Sequence, residues 1–248
     1  MEVTGVIPAR YNSSRLPGKP LLEICGKPII WWVYQQVIKE KKLTDVVVAA
    51  DDKRIVNKCN ELGMKVLLTG KYHDTPTSRL CEVAENTASE FFLLVMGDEP
   101  LVDPKCFSLI IPDNKIEEEV GGGGKIYVAA LTNILTDAAE VIDFSNQKVI
   151  TNTRGNAICI SRSPIPYPKG TLNFQYKKVT GIQLFSKSAL NFFARTPKSL
   201  IEYAEENDLM RFIENGIPVK MINSPYKTIS VDTKMDLDLV RNIITERQ

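Results

Sequence analysis

The sequence predicts an α/β protein in which a mostly parallel, twisted sheet carries helices on both faces. Short apolar runs alternate with segments of helical periodicity through the first half of the chain, and polar motifs follow the ends of two of those runs. Hydrophobic residues make up 44% of the 248 residues, which is enough for a full core. Because such alternation requires crossover connections, the strands are expected to be parallel and covered on both faces.

The first half is predicted to alternate strands and helices in order. Strands are expected over residues 3–8, 46–50, 66–68 and 91–96, where apolar residues form short runs. Helices are expected from Pro28 onward, over 54–62 with Gly63 as the stop, and over about 77–87. Ligands of open α/β sheets bind at the carboxyl ends of the strands, so the loops after residues 8 and 96 are expected to face one cleft.

The pattern changes at the four glycines 121–124, which predict a flexible connection or hairpin loop. A β-rich stretch follows, with strands expected over 127–131, 149–151, 157–160 and 182–185, and a further strand over 219–222. Ser199 and Glu202 form a capping box that predicts a helix to about Glu214. Thr233 and Asp236 form a second capping box, which introduces the last helix.

Composition and charge exclude several classes of protein. The formal net charge is +1, from 31 basic and 30 acidic residues, and this balance argues against a nucleic-acid binder. No apolar stretch approaches membrane length, and the first residues have no signal-peptide pattern. The five cysteines form no Cys-x-x-Cys pair, which favours free thiols in a reducing cytoplasm.

The loop after the first strand carries the first candidate site. Residues 10–19 hold Arg10, Arg15 and Lys19 together with two serines and Gly18. Three cations, with the backbone N–H groups of residues 11–14, suit a polyanion such as a triphosphate. The loop is not a Walker loop, because Pro20 follows Lys19. The alternative is a basic loop without a ligand.

A carboxylate follows the clearest strand, in the motif Gly97-Asp98-Glu99-Pro100. An aspartate at a strand end beside a triphosphate suits Mg²⁺, which binds carboxylate, phosphate and water oxygens. The alternative is that Asp98 caps a helix beginning near Pro104. Spacing alone leaves both interpretations open.

The run from Ile7 to Leu21 closely resembles the CTP-binding loop of the CMP-Kdo synthetases, or 3-deoxy-manno-octulosonate (Kdo) cytidylyltransferases. The resemblance extends, in order and spacing, over most of the chain. Further matching segments are Gly26-Lys27-Pro28, residues 46–51, His73 with Thr77, Arg79 and Leu80, the Gly-Asp-Glu-Pro motif, Ser161-Arg162, Gly181-Ile182, Glu202 with Glu205 and Arg211, and Val231-Asp232-Thr233 with Asp236-Leu237.

This resemblance implies a nucleotide-diphospho-sugar transferase-like fold and transfer of CMP from CTP to Kdo or a close 3-deoxy-ulosonic acid, with release of pyrophosphate. It implies Mg²⁺ as the cofactor, a cytoplasmic homodimer, and a place in lipopolysaccharide or capsule biosynthesis. The domains expected are a nucleotide-binding half over 1–120, a smaller β-rich dimerisation insert over 121–190, and a C-terminal part over 191–248 that completes the α/β domain.

The resemblance also implies roles for individual residues. Asp98 and Asp232 are expected to hold the metal and, with Lys19, to be catalytic. Asp232 could instead cap the last helix, although Thr233 can do so while Asp232 faces the cleft. The expected CTP-binding residues are Pro8, Ala9, Arg10, Tyr11, Asn12, Ser13, Lys19, Arg79, Met96, Gly97 and Asp98. The expected acceptor-binding residues are Arg15, Arg79, Glu202 and Glu205.

Three departures from the family pattern leave the acceptor open. Met96 stands where the family usually has Gln, residues 75–79 read Thr-Pro-Thr-Ser-Arg instead of Ser-Gly-Thr-Glu-Arg, and Val179 stands where a histidine is usual. The alternatives are a cytidylyltransferase for 8-amino-Kdo, another ulosonate or a phosphonate, a glycosyltransferase with the same nucleotide-binding half, or a protein that binds CTP without reacting. His73 is interpreted as a loop residue rather than a catalytic base.

Overall fold

The computed structural model describes residues 1–13, 15–112, 125–171 and 173–247. The predicted glycine connection at 121–124 lies outside the described residues. The strands are β1 (Val3–Ala9), β2 (Glu23–Ile24), β3 (Lys27–Pro28), β4 (Asp45–Ala50), β5 (Val66–Leu68), β6 (Phe91–Val95), β7 (Val128–Ile134), β8 (Lys148–Thr151), β9 (Ala157–Ser161), β10 (Lys177–Ser186) and β11 (Val219–Asn223). The helices are α1 (Ile29–Val37), α2 (Lys53–Glu61), α3 (Pro76–Glu85), α4 (Phe107–Ile110), α5 (Ala138–Ile142), α6 (Lys187–Arg195), α7 (Leu200–Glu205), α8 (Leu209–Glu214) and α9 (Lys234–Glu246).

The central sheet has the strand order β11-β7-β10-β6-β1-β4-β5. Strand β1 pairs in parallel with both β4 and β6, and the pairs β4–β5 and β7–β11 are also parallel. Strand β10 is antiparallel to β6 and β7, so its first residues lie at the edge where β6 ends. The mostly parallel sheet predicted from the sequence is therefore confirmed.

Apolar side chains cover the sheet on both faces. On one face, Ile30 and Val33 of α1 pack with Ile7 and with Ile55 of α2. On the other face, α3, α6 and α8 supply a second buried cluster that includes Leu80, Leu190 and Phe212. A third, smaller cluster joins α9 to the first hairpin, β2–β3. Within the described parts of the chain, the helices are too short or too polar to cross a lipid bilayer.

The single helix predicted over residues 199–214 is wrong. Ser199 and Glu202 do form the expected capping box, but α7 ends at Glu205 and Glu206 adopts a left-handed φ of 49°. The side-chain oxygen of Asn207 then accepts the N–H of Leu209 at 2.9 Å. An asparagine that bonds to nearby backbone competes with the helix, and here it separates α7 from α8.

The strands of the predicted β-rich insert have two locations. Strands β7 and β10 lie inside the central sheet, next to β6 and β11, and β10 is longer than the segment 182–185 expected from its apolar residues. Strands β8 and β9 form a hairpin that meets β10 through the pair Lys148–Lys178. The boundaries at 120 and 190, and the role of this segment in a dimer, stay predictions.

Candidate active site at the carboxyl edge of the sheet

The loop after β1 folds back on itself so that Lys19 returns to the end of the strand. The N–H of Gly18 donates to the carbonyl oxygen of Tyr11 at 3.0 Å, and that of Lys19 donates to Leu16 at 3.0 Å. Gly18 is buried with φ +67°, and a Cβ there would lie 3.2 Å from the Tyr11 hydroxyl oxygen. Only glycine meets both requirements without strain.

Asp98 reaches the same edge because the ends of β1 and β6 approach closely. A Cβ added to Gly97 would lie 2.8 Å from the carbonyl oxygen of Pro8, so any larger residue would push the two strand ends apart. The capping role considered for Asp98 belongs to another residue: Asp103 caps the short 3₁₀ helix Pro104–Cys106 and accepts the N–H of Lys105. The Asp98 carboxylate is therefore available to the cleft.

Asp232 enters the site from the segment before α9. Val231 is completely buried in the third apolar cluster and fixes the backbone at this point. Thr233 caps α9 by accepting the N–H of Asp236, and the N–H of Asp232 donates to the Asp236 carboxylate at 3.0 Å. Helix capping thus falls to Thr233, and the Asp232 carboxylate faces the loop after β1.

Four of the predicted site residues meet in one charged cluster. The Nζ atom of Lys19 lies 2.6 Å from Oδ2 of Asp98 and 3.1 Å from Oδ1 of Asp232. The same Asp232 oxygen accepts Nη2 of Arg15 at 2.9 Å. The Lys19 and Asp98 side chains are each 16% exposed. Although burial alone would lower it, the two carboxylates raise the pKa of Lys19 above its ordinary value, so the ammonium stays charged.

Arg79 lies behind the loop rather than at its surface. It is 3% exposed, donates to Thr69 and to the carbonyl oxygen of Gly70, and lies 3.6 Å from the Asp51 carboxylate. Asp51 in turn accepts the backbone N–H of Tyr11 at 2.9 Å. Burial and the nearby Arg10 lower the pKa of Arg79, while Asp51 opposes that shift. In the structure Arg79 therefore supports the loop through Asp51.

Sequence reasoning missed Asp51 and Arg54 as supports of the loop. The Arg54 guanidinium stacks over the Tyr11 ring at 3.4 Å from its centroid, and it is held there by two hydrogen bonds to Asp52. The available signal was the pair Asp51-Asp52 directly after β4, because that strand ends at the same edge as β1 and β6.

The remaining predicted nucleotide contacts surround this cluster. Pro8 and Ala9 are paired in the sheet with β4, opposite Ala49 and Ala50. Arg10 and Asn12 are exposed, Ser13 is half-buried, and Ser14 lies outside the described residues. The backbone N–H of Met96 donates to the carbonyl oxygen of Gly181 at 3.0 Å, which attaches the start of the Asp98 loop to β10.

Glu202 and Glu205, predicted to bind the acceptor, have protein partners. Glu202 is fully buried, and both of its oxygens accept hydrogen bonds from Arg211, one of them at 2.7 Å. Glu205 accepts the Ser161 hydroxyl at 2.6 Å and the N–H of Arg162 at 2.7 Å. Their contacts lie outside the charged cluster, and a role for either in acceptor binding stays a prediction.

Two further titratable residues, Glu99 and His73, lie outside the charged cluster and bond to other residues of the chain. Glu99 is 4% exposed, and burial together with the adjacent Asp98 raises its pKa to about 8. One of its oxygens lies 3.4 Å from the Ser230 hydroxyl. His73 lies in the loop before α3 and bonds to Glu82 through Nε2, as a loop residue rather than as part of the charged cluster.

Comparison with known proteins identifies the family. The cytidylyltransferase family model matches residues 4–228. The chain is 34% identical over 241 residues to the 3-deoxy-manno-octulosonate cytidylyltransferase of Escherichia coli, covering 97% of this chain and 95% of the relative. It is 34% identical over 247 residues to that of Fusobacterium nucleatum, covering 99% and 98%.

Solved structures agree with these matches. The structure of CMP:2-keto-3-deoxy-manno-octonic acid synthetase complexed with CTP superposes with a TM-score of 0.90 at 34% identity, and the match covers 100% of both chains. The inositol-1-phosphate CTP transferase of T. maritima, at 14% identity and a TM-score of 0.68, shares the fold. On sequence and structure alike, the chain belongs to the 3-deoxy-manno-octulosonate cytidylyltransferase family.

Proposed function

We propose that the protein transfers CMP from CTP to a 3-deoxy-ulosonic sugar acid, Kdo or a close analogue, and releases pyrophosphate. The observation that carries the proposal is the cluster of Lys19, Asp98 and Asp232 at the carboxyl edge of the sheet. It combines a phosphate-binding cation with two carboxylates, and it belongs to a chain that matches Kdo cytidylyltransferases over almost its whole length.

The loop after β1 binds the triphosphate in this proposal. Arg10 and Arg15 are exposed at the mouth of the loop, and Lys19 lies at its base. Asp51 binds the backbone N–H of Tyr11 and Arg54 stacks on the Tyr11 ring, so the start of the loop is held before the nucleotide arrives. A preorganised loop of this kind lowers the ordering cost of binding.

The residues present fit a magnesium ion. Asp98 and Asp232 approach one cation, the Lys19 ammonium, from two sides, and carboxylate oxygens are the ligands that Mg²⁺ prefers. Among the described residues, no group of three or more His, Cys, Asp or Glu side chains could hold a metal ion alone. Asp98 and Asp232 would therefore hold the ion jointly with phosphate and water oxygens. When bound, Mg²⁺ lowers the pKa of a coordinated hydroxyl and neutralises phosphate charge.

The chain's own groups position the reaction. The acceptor hydroxyl oxygen attacks the α-phosphorus in line and releases its proton to solvent. The bond between the α-phosphorus and the oxygen that bridges to the β-phosphate breaks, and pyrophosphate leaves with that oxygen, without a covalent enzyme intermediate. Lys19 and Arg10 stabilise the charge that develops on the phosphates. Arg15, whose side chain is 60% exposed, offers a guanidinium fork for the acceptor's carboxylate.

The test is pyrophosphate release from CTP, with and without Mg²⁺, against a panel of Kdo, 8-amino-Kdo, sialic-type acids and phosphonates. We expect magnesium-dependent release with Kdo or an ulosonate close to it. Bound CTP with no release from any acceptor would contradict the proposal and leave a protein that binds CTP without reacting. Hydrolysis or transfer from a nucleotide-sugar, without release from CTP, would indicate a glycosyltransferase.

A changed acceptor is the second candidate, and Met96 is the observation that favours it. Its thioether replaces an amide that could both donate and accept a hydrogen bond, and a site built around such a bond rejects a mismatched substrate strongly. Release with another acid in preference to Kdo would assign Met96 and Val179 to a changed pocket. Release with Kdo alone would make them neutral substitutions.

The assembly and the compartment are also proposals. We propose a homodimer that uses the region around the β8–β9 hairpin, where exposed apolar side chains such as Phe144 and Ile158 occur. Sedimentation measures the assembly directly. All five cysteines are free thiols, which supports a reducing cytoplasm.

A further inference from the structure

The charged cluster is electrically balanced before any ligand arrives. Asp98 and Asp232 contribute two negative charges, and Lys19 and Arg15 contribute two positive charges. Lys19 is the central member, because its ammonium contacts both carboxylates while Arg15 contacts only Asp232. The position between the two carboxylates, where a divalent cation would bind, is held by a cation of the chain itself.

This arrangement penalises either ligand when it binds alone. A metal ion arriving first must displace the Lys19 ammonium from both carboxylates, or bind beside a positive charge only a few ångströms away. A triphosphate arriving first draws Lys19 towards its phosphates, which leaves Asp98 without its cationic partner and leaves Asp232 with Arg15 alone. The two ligands together satisfy every group, because the phosphates take the lysine and the metal takes the carboxylates.

We propose that Lys19 acts as an exchangeable counter-ion that keeps the Asp98–Asp232 pair closed to divalent cations until a nucleoside triphosphate withdraws it. The inference rests on the proposed function for the identity of the two ligands. The inference adds a coupling between nucleotide binding and metal binding, because both ligands require the Lys19 ammonium to leave the two carboxylates. Because coupling free energy is reciprocal, the nucleotide strengthens metal binding by the same factor as the metal strengthens nucleotide binding.

The geometry around Lys19 supports exchange rather than a permanent structural bond. The Lys19 side chain is 16% exposed and that of Asp232 is 33% exposed, so the cluster is open to the cleft on one side. Lys19 lies at the start of a 3₁₀ helix of three residues, fixed by Gly18 and by Pro20. The backbone therefore stays in place while the four-carbon side chain moves.

The test measures Mn²⁺ binding to the nucleotide-free protein by the loss of the free-ion EPR signal. Mn²⁺ suits the same oxygen ligands as Mg²⁺ and reports occupancy without turnover. We expect weak binding to the wild-type protein. We expect Lys19→Met to bind Mn²⁺ about 5- to 150-fold more tightly, which is the usual range of coupling between two sites. Arg15→Leu should give a smaller gain, because Arg15 contacts a single carboxylate and is 60% exposed.

Control variants test whether the gain in Mn²⁺ affinity arises from the loss of the Lys19 charge beside Asp98. Lys39→Met removes an exposed lysine that follows α1 and bonds to Gln36, and it should leave Mn²⁺ affinity unchanged. Adding Asp98→Asn to Lys19→Met should abolish the gain. Lys19→Gln, with a polar uncharged side chain, guards against a folding defect specific to methionine, and a thermal melt confirms that each variant is folded.

One result would overturn the inference: folded Lys19→Met and folded Lys19→Gln that both bind Mn²⁺ without nucleotide no more tightly than the wild-type protein does. Because the assay uses no acceptor, its outcome is separate from that of the proposed function. Pyrophosphate release tests the reaction, and metal affinity in the absence of nucleotide tests the counter-ion.

Discussion

The backbone N–H of Val231 donates to the carbonyl oxygen of Asp98 at 2.8 Å. This bond joins the loop after β6 to the segment before α9, and each of these segments carries one carboxylate of the cluster. Ser230 adds a second link through the buried Glu99. The main-chain hydrogen bond therefore fixes the distance between the two segments that carry Asp98 and Asp232, whatever conformations their side chains adopt.

Asp98→Asn should reduce turnover by at least about 10²–10³-fold, as loss of one preorganised charge contact does, while CTP binding partly survives. Asparagine keeps the shape of the side chain but loses the charge that a metal ion needs. The measurement is pyrophosphate release alongside CTP titration. Asp103→Asn is the control, because asparagine caps a helix as well as aspartate does. Near-normal turnover of Asp98→Asn would remove Asp98 from the metal site.

Gly97→Ala should lower the free energy of unfolding by about 1–3 kcal/mol, since overpacking forces backbone shifts. The added methyl group would lie 2.8 Å from the Pro8 carbonyl oxygen and 3.2 Å from Cδ1 of Ile30. The displaced strand ends should also reduce turnover. Urea denaturation and pyrophosphate release measure the two effects. Gly170→Ala, where a Cβ meets nothing within 4 Å, is the control. Equal stability of the two variants would contradict the close approach of β1 and β6.

Arg211→Met should destabilise the protein by about 3–5 kcal/mol, because it leaves the fully buried Glu202 carboxylate without its partner. Lys58→Met, which removes an exposed partner of Glu61, should cost only about 0–1 kcal/mol. Chemical denaturation measures the free energy of unfolding of both variants.

The same pair tests the acceptor role predicted for Glu202. We expect Glu202→Gln to lower the free energy of unfolding and to leave the KM for the acceptor unchanged. A folded, stable Glu202→Gln variant with a raised acceptor KM would instead place Glu202 at the acceptor.

Thiol labelling at pH 8 should modify Cys25 rapidly and spare three buried cysteines. Burial raises the pKa of Cys59 to about 11 and, with nearby carboxylates, raises the pKa of Cys81 and Cys106 to about 12. Since only the thiolate reacts, a raised pKa leaves on the order of a thousandth or less of each buried thiol reactive at pH 8. Cys25 is exposed. Mass spectrometry after maleimide treatment locates the label, with urea-unfolded protein as the fully labelled control. Rapid native labelling of Cys81 or Cys106 would show that α3 or the 3₁₀ turn opens readily.

The central sheet could be predicted because its strands are short apolar runs that end in polar motifs. Val66–Leu68 matches the expected bounds, and β1, β4 and β6 differ by a residue or so at their ends. Strand β10 was underestimated because residues 177–181 are half-buried and mixed in polarity, and their strand conformation comes from pairing with β7 and β8. Tertiary pairing of this kind leaves little trace in the local pattern.

The approach of the loops after β1 and β6 could be predicted, because both follow parallel strands that end at the same edge of the sheet. The roles of Arg15, Lys19, Asp98 and Asp232 in that cleft stay predictions. The placement of Arg79 on α3 could not be foreseen, because the sequence pattern around an arginine is the same whether its guanidinium faces a ligand or a buried aspartate. The loop is held by bonds between residues distant in sequence, such as that from Tyr11 to Asp51.

One departure from the family pattern has a structural explanation. Ser78 stands where the family usually has glutamate, and in the structure Thr75 and Ser78 together form the capping box of α3. Glutamate is a usual residue at this position, the third of the helix, where it pairs with the N-cap residue in a capping box. The serine therefore preserves the start of the helix, and its presence is compatible with an unchanged acceptor.

The position of Asp232, directly before α9, ties the charged cluster to the docking of that helix. Helix α9 packs against the β2–β3 hairpin, and the buried Val231 belongs to the same apolar cluster. Local opening of α9 would therefore withdraw one carboxylate while the central sheet and the loop after β1 stay folded. We expect conditions that loosen this helix to abolish activity before the protein unfolds.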